Sequence, residues 1–277
     1  MARRKKAQQK RPEPTPARHS HVLRIGVALA AAVAAVGIGV TAAVLALGGG
    51  GESGQSGART AVIVDQLSLT QPNPEFVSAA RDILSRAGYT VDYFPGEQVT
   101  VDLYRRLPEH GYDVVLLRVH AGITREISAE SGAKQETEYV SLFTGEKYEE
   151  NKYPAEQLNR LGRATYYEGA EPLFGIGPAF VSDSMEGDFD GALIVMMGCD
   201  GLRSQRTAEA FLDRGASAFV SWSKPVSAPH TDAATQRLLE RVLLEGQDVE
   251  QAVQATAAEV GPDPAYEAEL RVLTSGG

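Results

Sequence analysis

The chain has 277 residues, 43% hydrophobic and 23% charged, with a single cysteine and a formal net charge of −9. This composition excludes a disordered or collagen-like chain, and one Cys excludes an internal disulfide and a Cys-rich zinc site. The charge is segregated: residues 1–24 carry eight Lys/Arg against Glu13, a local +7 that leaves about −16 on the remainder. An anionic body repels phosphate, so no nucleic-acid partner is expected for the folded part.

In chain order, the basic head at 1–24 reads as a topology signal. Ile25–Leu47 follows with no charged residue over 23 positions. At about 1.5 Å per residue that length spans a hydrocarbon core of roughly 30 Å. It also exceeds the apolar region of a cleaved signal peptide, about 7–15 residues. One transmembrane helix is therefore expected at 25–47, with the lipid bilayer as its partner. The Lys/Arg asymmetry puts the amino terminus in the cytoplasm and the bulk of the chain outside. Residues 48–58 form a Gly/Ser-rich tether without core-forming side chains, and the folded domain is expected over 59–277.

Within that domain strands and helices alternate. Ala61–Leu67 is a β-branched apolar run, and Glu75–Ala87 has helical apolar spacing closed by Gly88. Tyr89–Phe94 reads as a strand, Val101–Leu107 as a helix and Tyr112–Val119 as a buried strand. Ile123–Gly187 is less regular, with a hairpin suggested at Glu138–Phe143. Regularity returns with a strand at Ala192–Met197, a helix at Ser204–Arg214 and a strand at Ala218–Trp222. Two helices follow, Asp232–Leu244 and Val249–Val260, the second capped by Asp248. Such alternation predicts an α/β fold: a three-layer, doubly wound, mainly parallel sheet covered on both faces.

Open parallel sheets bind ligands beyond the carboxyl ends of their strands, and two reactive side chains stand at such ends. His120 follows the strand YDVVLLRV, and Cys199 follows ALIVMM after one glycine. On neighbouring strands both emerge on one rim, where an imidazole can take the proton of a thiol and free the nucleophilic thiolate. Gly122, Gly198 and Gly201 let backbone N–H groups approach a reacting carbonyl. An unpaired thiol outside the cytoplasm is an oxidation liability and calls for a reason. No metal and no cofactor is expected. Cys199 has no companion Cys, His110 and His230 stand at no ligand spacing, and the GIG at 175–177 lacks the context of a nucleotide loop.

The order strand-His-x-Gly, strand-Cys-x-Gly, strand ending in Ser-Trp resembles the caspase-like cysteine peptidases, the group of caspases, gingipains, separase and bacterial CHAT domains. Here those elements are VVLLRVHAGI (Val114–Ile123), IVMMGCDGL (Ile194–Leu202) and AFVSWSKPVS (Ala218–Ser227), and the helix pair over Thr231–Glu259 is most similar to a CHAT domain. The resemblance implies a caspase-like fold and a cysteine endopeptidase acting on a peptide or protein substrate. Cys199 would attack the scissile carbonyl, His120 would handle protons, and the N–H groups of Cys199 and Gly122 would hold the oxyanion. It also makes Asp200, Ser221, Trp222 and Ser223 candidates for substrate binding. Two departures stand out: Ala121 separates His120 from Gly122, and Ser223 occupies the position where caspases carry an aspartate-binding Arg. The alternatives are a catalytically inactive caspase-like scaffold of the cell envelope and a sortase-like transpeptidase, against which the helical runs argue.

Overall fold

The computed structural model describes residues 58–128, 135–158 and 160–276. The basic head, the expected anchor at 25–47 and nearly all of the tether lie outside the described residues, among which no helix is long and apolar enough to cross a membrane.

The chain opens with strand β1 (Thr60–Asp65) and a 3-10 turn at Gln66–Leu69. Helix α1 (Pro74–Arg86), strand β2 (Thr90–Pro95), the short helix α2 (Val101–Arg106) and strand β3 (Val114–Arg118) follow. Helix α1 starts where its sequence dictates: the Asn73 side chain accepts the Phe76 N–H, and Pro74 sits where a missing donor costs nothing. It buries Phe76, Val77, Ala80, Ile83 and Leu84, a single stripe at helical spacing.

From β3 the chain passes directly into a second sheet, made of β4 (Ala121–Ser128), β5 (Gln135–Lys147), β6 (Leu161–Ala164) and β7 (Leu173–Ile176). This sheet is wholly antiparallel, in the order β4-β5-β7-β6. The chain returns through helix α3 (Pro178–Ser184), strand β8 (Leu193–Met196), helix α4 (Arg206–Asp213) and strand β9 (Ala218–Trp222). It ends with α5 (Ala228–Leu239, continued by a π turn at Glu240–Leu244), α6 (Val249–Val260) and β10 (Leu270–Thr274). Asp248 caps α6 as expected, accepting the N–H groups of Glu250 and Gln251.

The main sheet has the order β10-β9-β8-β3-β1-β2, parallel throughout except for β10, which runs antiparallel to β9. Strand alternation feeds two cores. Val62, Val64, Val115, Leu117, Ile194 and Met196 pack with residues of α2, α3 and α4. Ala61, Ile63, Val114, Leu116, Leu193 and Val195 pack with α1, α5 and α6. Helices thus cover both faces, as the near-continuous apolar strands require. The fold is mixed α/β with a mainly parallel sheet.

Two elements depart from the sequence expectation. The stretch read as irregular, 123–187, holds most of a four-stranded sheet rather than one hairpin. Its strands mix partly buried and polar positions and are broken by Gly145, Gly162 and Gly175, so the alternation is diluted. Strand β10 was not expected: it is a run of only five residues, Leu270–Thr274, in which Leu270 alone is buried.

Candidate active site

The strand order reverses between β1 and β3: the chain steps outward from β1 to β2, then back past β1 to β3 and β8. That is the switch point where open sheets bind ligands; His120 follows β3 beside it, and Cys199 follows β8, the next strand over. The β3–β8 register runs Val114↔Leu193 to Leu117↔Met196; continued three residues, it sets His120 level with Cys199. The two backbones press together at the intervening step. A Cβ on Gly198 would lie 2.3 Å from the Val119 carbonyl oxygen, so only glycine lets the Cys199 turn pass this close to the His120 strand. Both side chains line one cavity of about 310 Å³, walled by Leu67 after β1, by Met197 and Gly198, and by the segment Pro225–Pro229 after β9.

The imidazole is firmly held. Its backbone N–H donates to Gln66 Oε1 at 2.9 Å, its carbonyl accepts from Phe143 N–H at 2.9 Å, and Nε2 bonds Thr70 Oγ1 at 2.8 Å. Tyr166 meets the ring edge-on at a centroid distance of 4.8 Å, its hydroxyl accepting from Gln66 Nε2. The thiol has one weak partner, the Val226 carbonyl at 3.7 Å. Among the described residues no hydrogen bond joins the two groups, and no acceptor takes the Cys199 backbone N–H. Burial, with the Arg118 guanidinium behind the ring, pushes the imidazole down to about 4. Burial also pushes the thiol above its ordinary range, the Val226 bond offsetting this in part while Asp200 and Asp263 add to it. At neutral pH the pair is a thiol beside a neutral imidazole, a base waiting rather than an ion pair.

No family model and no curated protein sequence matches the chain.

Four residues expected to touch substrate do not line the cavity. Trp222 is buried and donates its indole N–H to Thr231 Oγ1 at 2.8 Å, standing behind the wall that Thr231 provides. Ser221 donates to the Met196 carbonyl at 2.7 Å. Ser223 accepts the Glu269 N–H and donates its own N–H to the Glu269 carbonyl, both at 3.0 Å. Trp222 is thus held against α5, Ser221 against β8 and Ser223 against the residue that precedes β10. Asp200 is buried with φ +61°, ion-paired to Arg203 at 3.8 Å, and burial raises its carboxyl. Gly122 sits in β4 opposite Ser141 and lines a neighbouring cavity among β4, β5, β6 and β7. The Phe143-to-His120 bond marks the adjacent hydrogen-bonded pair of that ladder, so the Gly122 N–H falls at the next such position, facing Ser141.

The structure also supplies groups that the sequence did not advertise. Arg118, fully buried at the end of β3, binds both oxygens of Asp232 at 2.8 and 2.9 Å, Asp65 Oδ1 at 2.8 Å and the Gln71 carbonyl at 3.0 Å. Tyr93 donates to Asp65 and Asn73 to Asp232. This network clamps β1, β3 and α5 beneath the His120 end of the site. Its members lie 53 and 114 residues apart, too far for any local pattern to pair them. Among the described residues no cluster of His, Cys, Asp or Glu is arranged to hold a metal ion.

Proposed function

We propose that residues 59–277 form a caspase-like cysteine endopeptidase carried outside the cytoplasm on the 25–47 anchor. The observation that carries this reading is the convergence of His120 and Cys199 on one cavity beside the switch point, with the Cys199 N–H left without an acceptor. The doubly wound order of the main sheet, with His120 after β3 and Cys199 after its neighbour β8, supports the same reading.

In this mechanism the Thr70 hydroxyl accepts a hydrogen bond from Nε2–H, the tautomer that leaves Nδ1 as the base. As the Cys199 sulfur bonds the scissile carbonyl carbon, the thiol proton passes to His120 and the carbonyl electrons move onto oxygen, which receives the Cys199 N–H. Collapse breaks the carbon–nitrogen bond, and His120 returns the proton to the departing amine. Water, deprotonated by the same imidazole, then hydrolyses the thioester and frees the thiol. The Gly122 amide would have to leave the β4–β5 ladder to join, so the Cys199 amide is the principal oxyanion donor.

The separate partners of the two groups, Thr70 for the imidazole and Val226 for the thiol, favour a second reading, an inactive envelope scaffold. A sortase-like transpeptidase is the weakest alternative, since a mainly parallel sheet does not suit a β-barrel. The deciding experiment treats the full chain with a peptide-based thiol electrophile at neutral pH. Labelling of Cys199 is expected to slow at least about tenfold in His120→Ala and to vanish in Cys199→Ser. Labelling no faster than that of a free thiol, and indifferent to His120→Ala, would establish the scaffold instead.

A further inference from the structure

We infer that this cavity selects an uncharged, apolar side chain on the acyl side of the scissile bond, a deduction that rests on the peptidase reading above. Cys199 lines the cavity together with Met197 and Gly198, the two residues leading into it. An acyl group bonded to the Cys199 sulfur therefore has this space for its side chain. No Asp, Glu, Lys or Arg is among the described residues lining it. Its floor is Val119, Met197, Leu67 and Val226, all buried.

Two of the polar side chains in the wall already have partners. Thr231 Oγ1 accepts the Trp222 indole, and Ser227 Oγ donates to Asp263 at 2.6 Å. The charges adjoining the wall are paired: Lys224, which precedes the segment Pro225–Pro229, is exposed and faces Glu267 at 3.6 Å. Asp263, fully buried, also accepts the N–H groups of Ser227, Ala265 and Tyr266. Burial alone would raise its carboxyl, yet these bonds hold it below the usual range. Asp65 and Asp232 are tied to Arg118, and Asp200 faces Arg203.

A substrate carboxylate entering here would lose its water and meet no cation in the wall. A substrate ammonium would lose its water for carboxylates whose oxygens are taken or walled off. An aliphatic or thioether side chain loses nothing polar and gains the apolar floor.

The test uses the full chain and three otherwise identical peptidyl electrophiles whose acyl-side residue is Leu, Asp or Arg, with the rate of Cys199 labelling as the readout. The Leu probe is expected to label at least about tenfold faster than either charged one, from the cost of stripping water from a charge. A faster Asp or Arg probe would overturn the specificity and leave the peptidase reading standing. No labelling by any probe would sink both. Gln71→Glu gives an independent check. Gln71 is exposed at the rim, and the near-isosteric change adds one carboxylate to the wall. The Arg-to-Leu rate ratio should rise about threefold to fivefold, the size of an exposed ion pair. An unchanged ratio would show that the probe side chain does not enter this cavity.

Discussion

The two halves of the site are built to opposite standards. On one side the His120 backbone is tied to Gln66 and Phe143, its ring is bonded to Thr70 and met edge-on by Tyr166, and a buried guanidinium with two carboxylates lies beneath. On the other, the thiol hangs on a turn between two glycines, held by one long contact to a carbonyl. The difference says which partner adapts. Moving His120 means dismantling several hydrogen bonds, whereas moving the Cys199 sulfur costs one weak interaction. Substrate binding should therefore bring the thiol to the base.

The strongest way to break this contrast is at its foundation. Arg118→Met leaves Asp65 and Asp232 buried without their cation, and urea unfolding should show a loss of about 3–5 kcal/mol. A loss below about 1 kcal/mol would mean that the imidazole side is not the rigid one.

Next in size is the step where the two sides touch. In Gly198→Ala the new methyl would collide with the Val119 carbonyl. Separating the strands should cost about 1–3 kcal/mol in the same assay and slow probe labelling by more than the stability change explains. Unchanged labelling would show that the close approach is not needed for the chemistry.

Titration sharpens the contrast further. Because burial holds the imidazole near 4 and the thiol above its usual range, alkylation by a small haloacetamide should keep rising through about pH 8.5, the ordinary thiol pKa. A plateau reached near pH 6 would reveal a thiolate–imidazolium pair instead. Stability carries the matching sign. A base whose pKa is lowered by folding contributes stability that is present above its unfolded value of about 6.5 and lost as pH falls towards about 4. The urea midpoint should drop across that window, and drop less in His120→Asn.

The smallest expected effect is at Thr70. Thr70→Val removes the hydroxyl that holds Nε2 and should slow probe labelling about twofold to fivefold, the worth of one net hydrogen bond of about 1 kcal/mol or less. Faster labelling would mean that Thr70 restrains the imidazole rather than orienting it.

Much of this site was legible in the sequence because its chemistry sits at strand ends. The runs before His120 and Cys199 are short, β-branched or apolar and bounded by glycine, so both the strands and their carboxyl termini could be found. That the two strands are neighbours was a condition the alternation could not supply, and the β3–β8 pairing meets it. Ser221, Trp222 and Ser223 do not line the cavity because their side chains are engaged elsewhere: Ser221 with the Met196 carbonyl, Trp222 with Thr231 of α5 and Ser223 with the Glu269 N–H. Arg118 was hidden inside an apolar strand because its two carboxylates come from β1 and α5. Residue spacing along one element carries no trace of such a partnership.

Only Val119 and His120 separate β3 from β4, so the proposed base is mounted on the splice between two sheets. None of the described residues lining the cavity comes from the antiparallel sheet, yet that sheet holds the His120 backbone carbonyl through Phe143. A displacement of about 1 Å in a catalytic group can cost two orders of magnitude in rate. On the peptidase reading, the antiparallel sheet would set the position of the base while lining none of the cavity that takes the substrate's side chain.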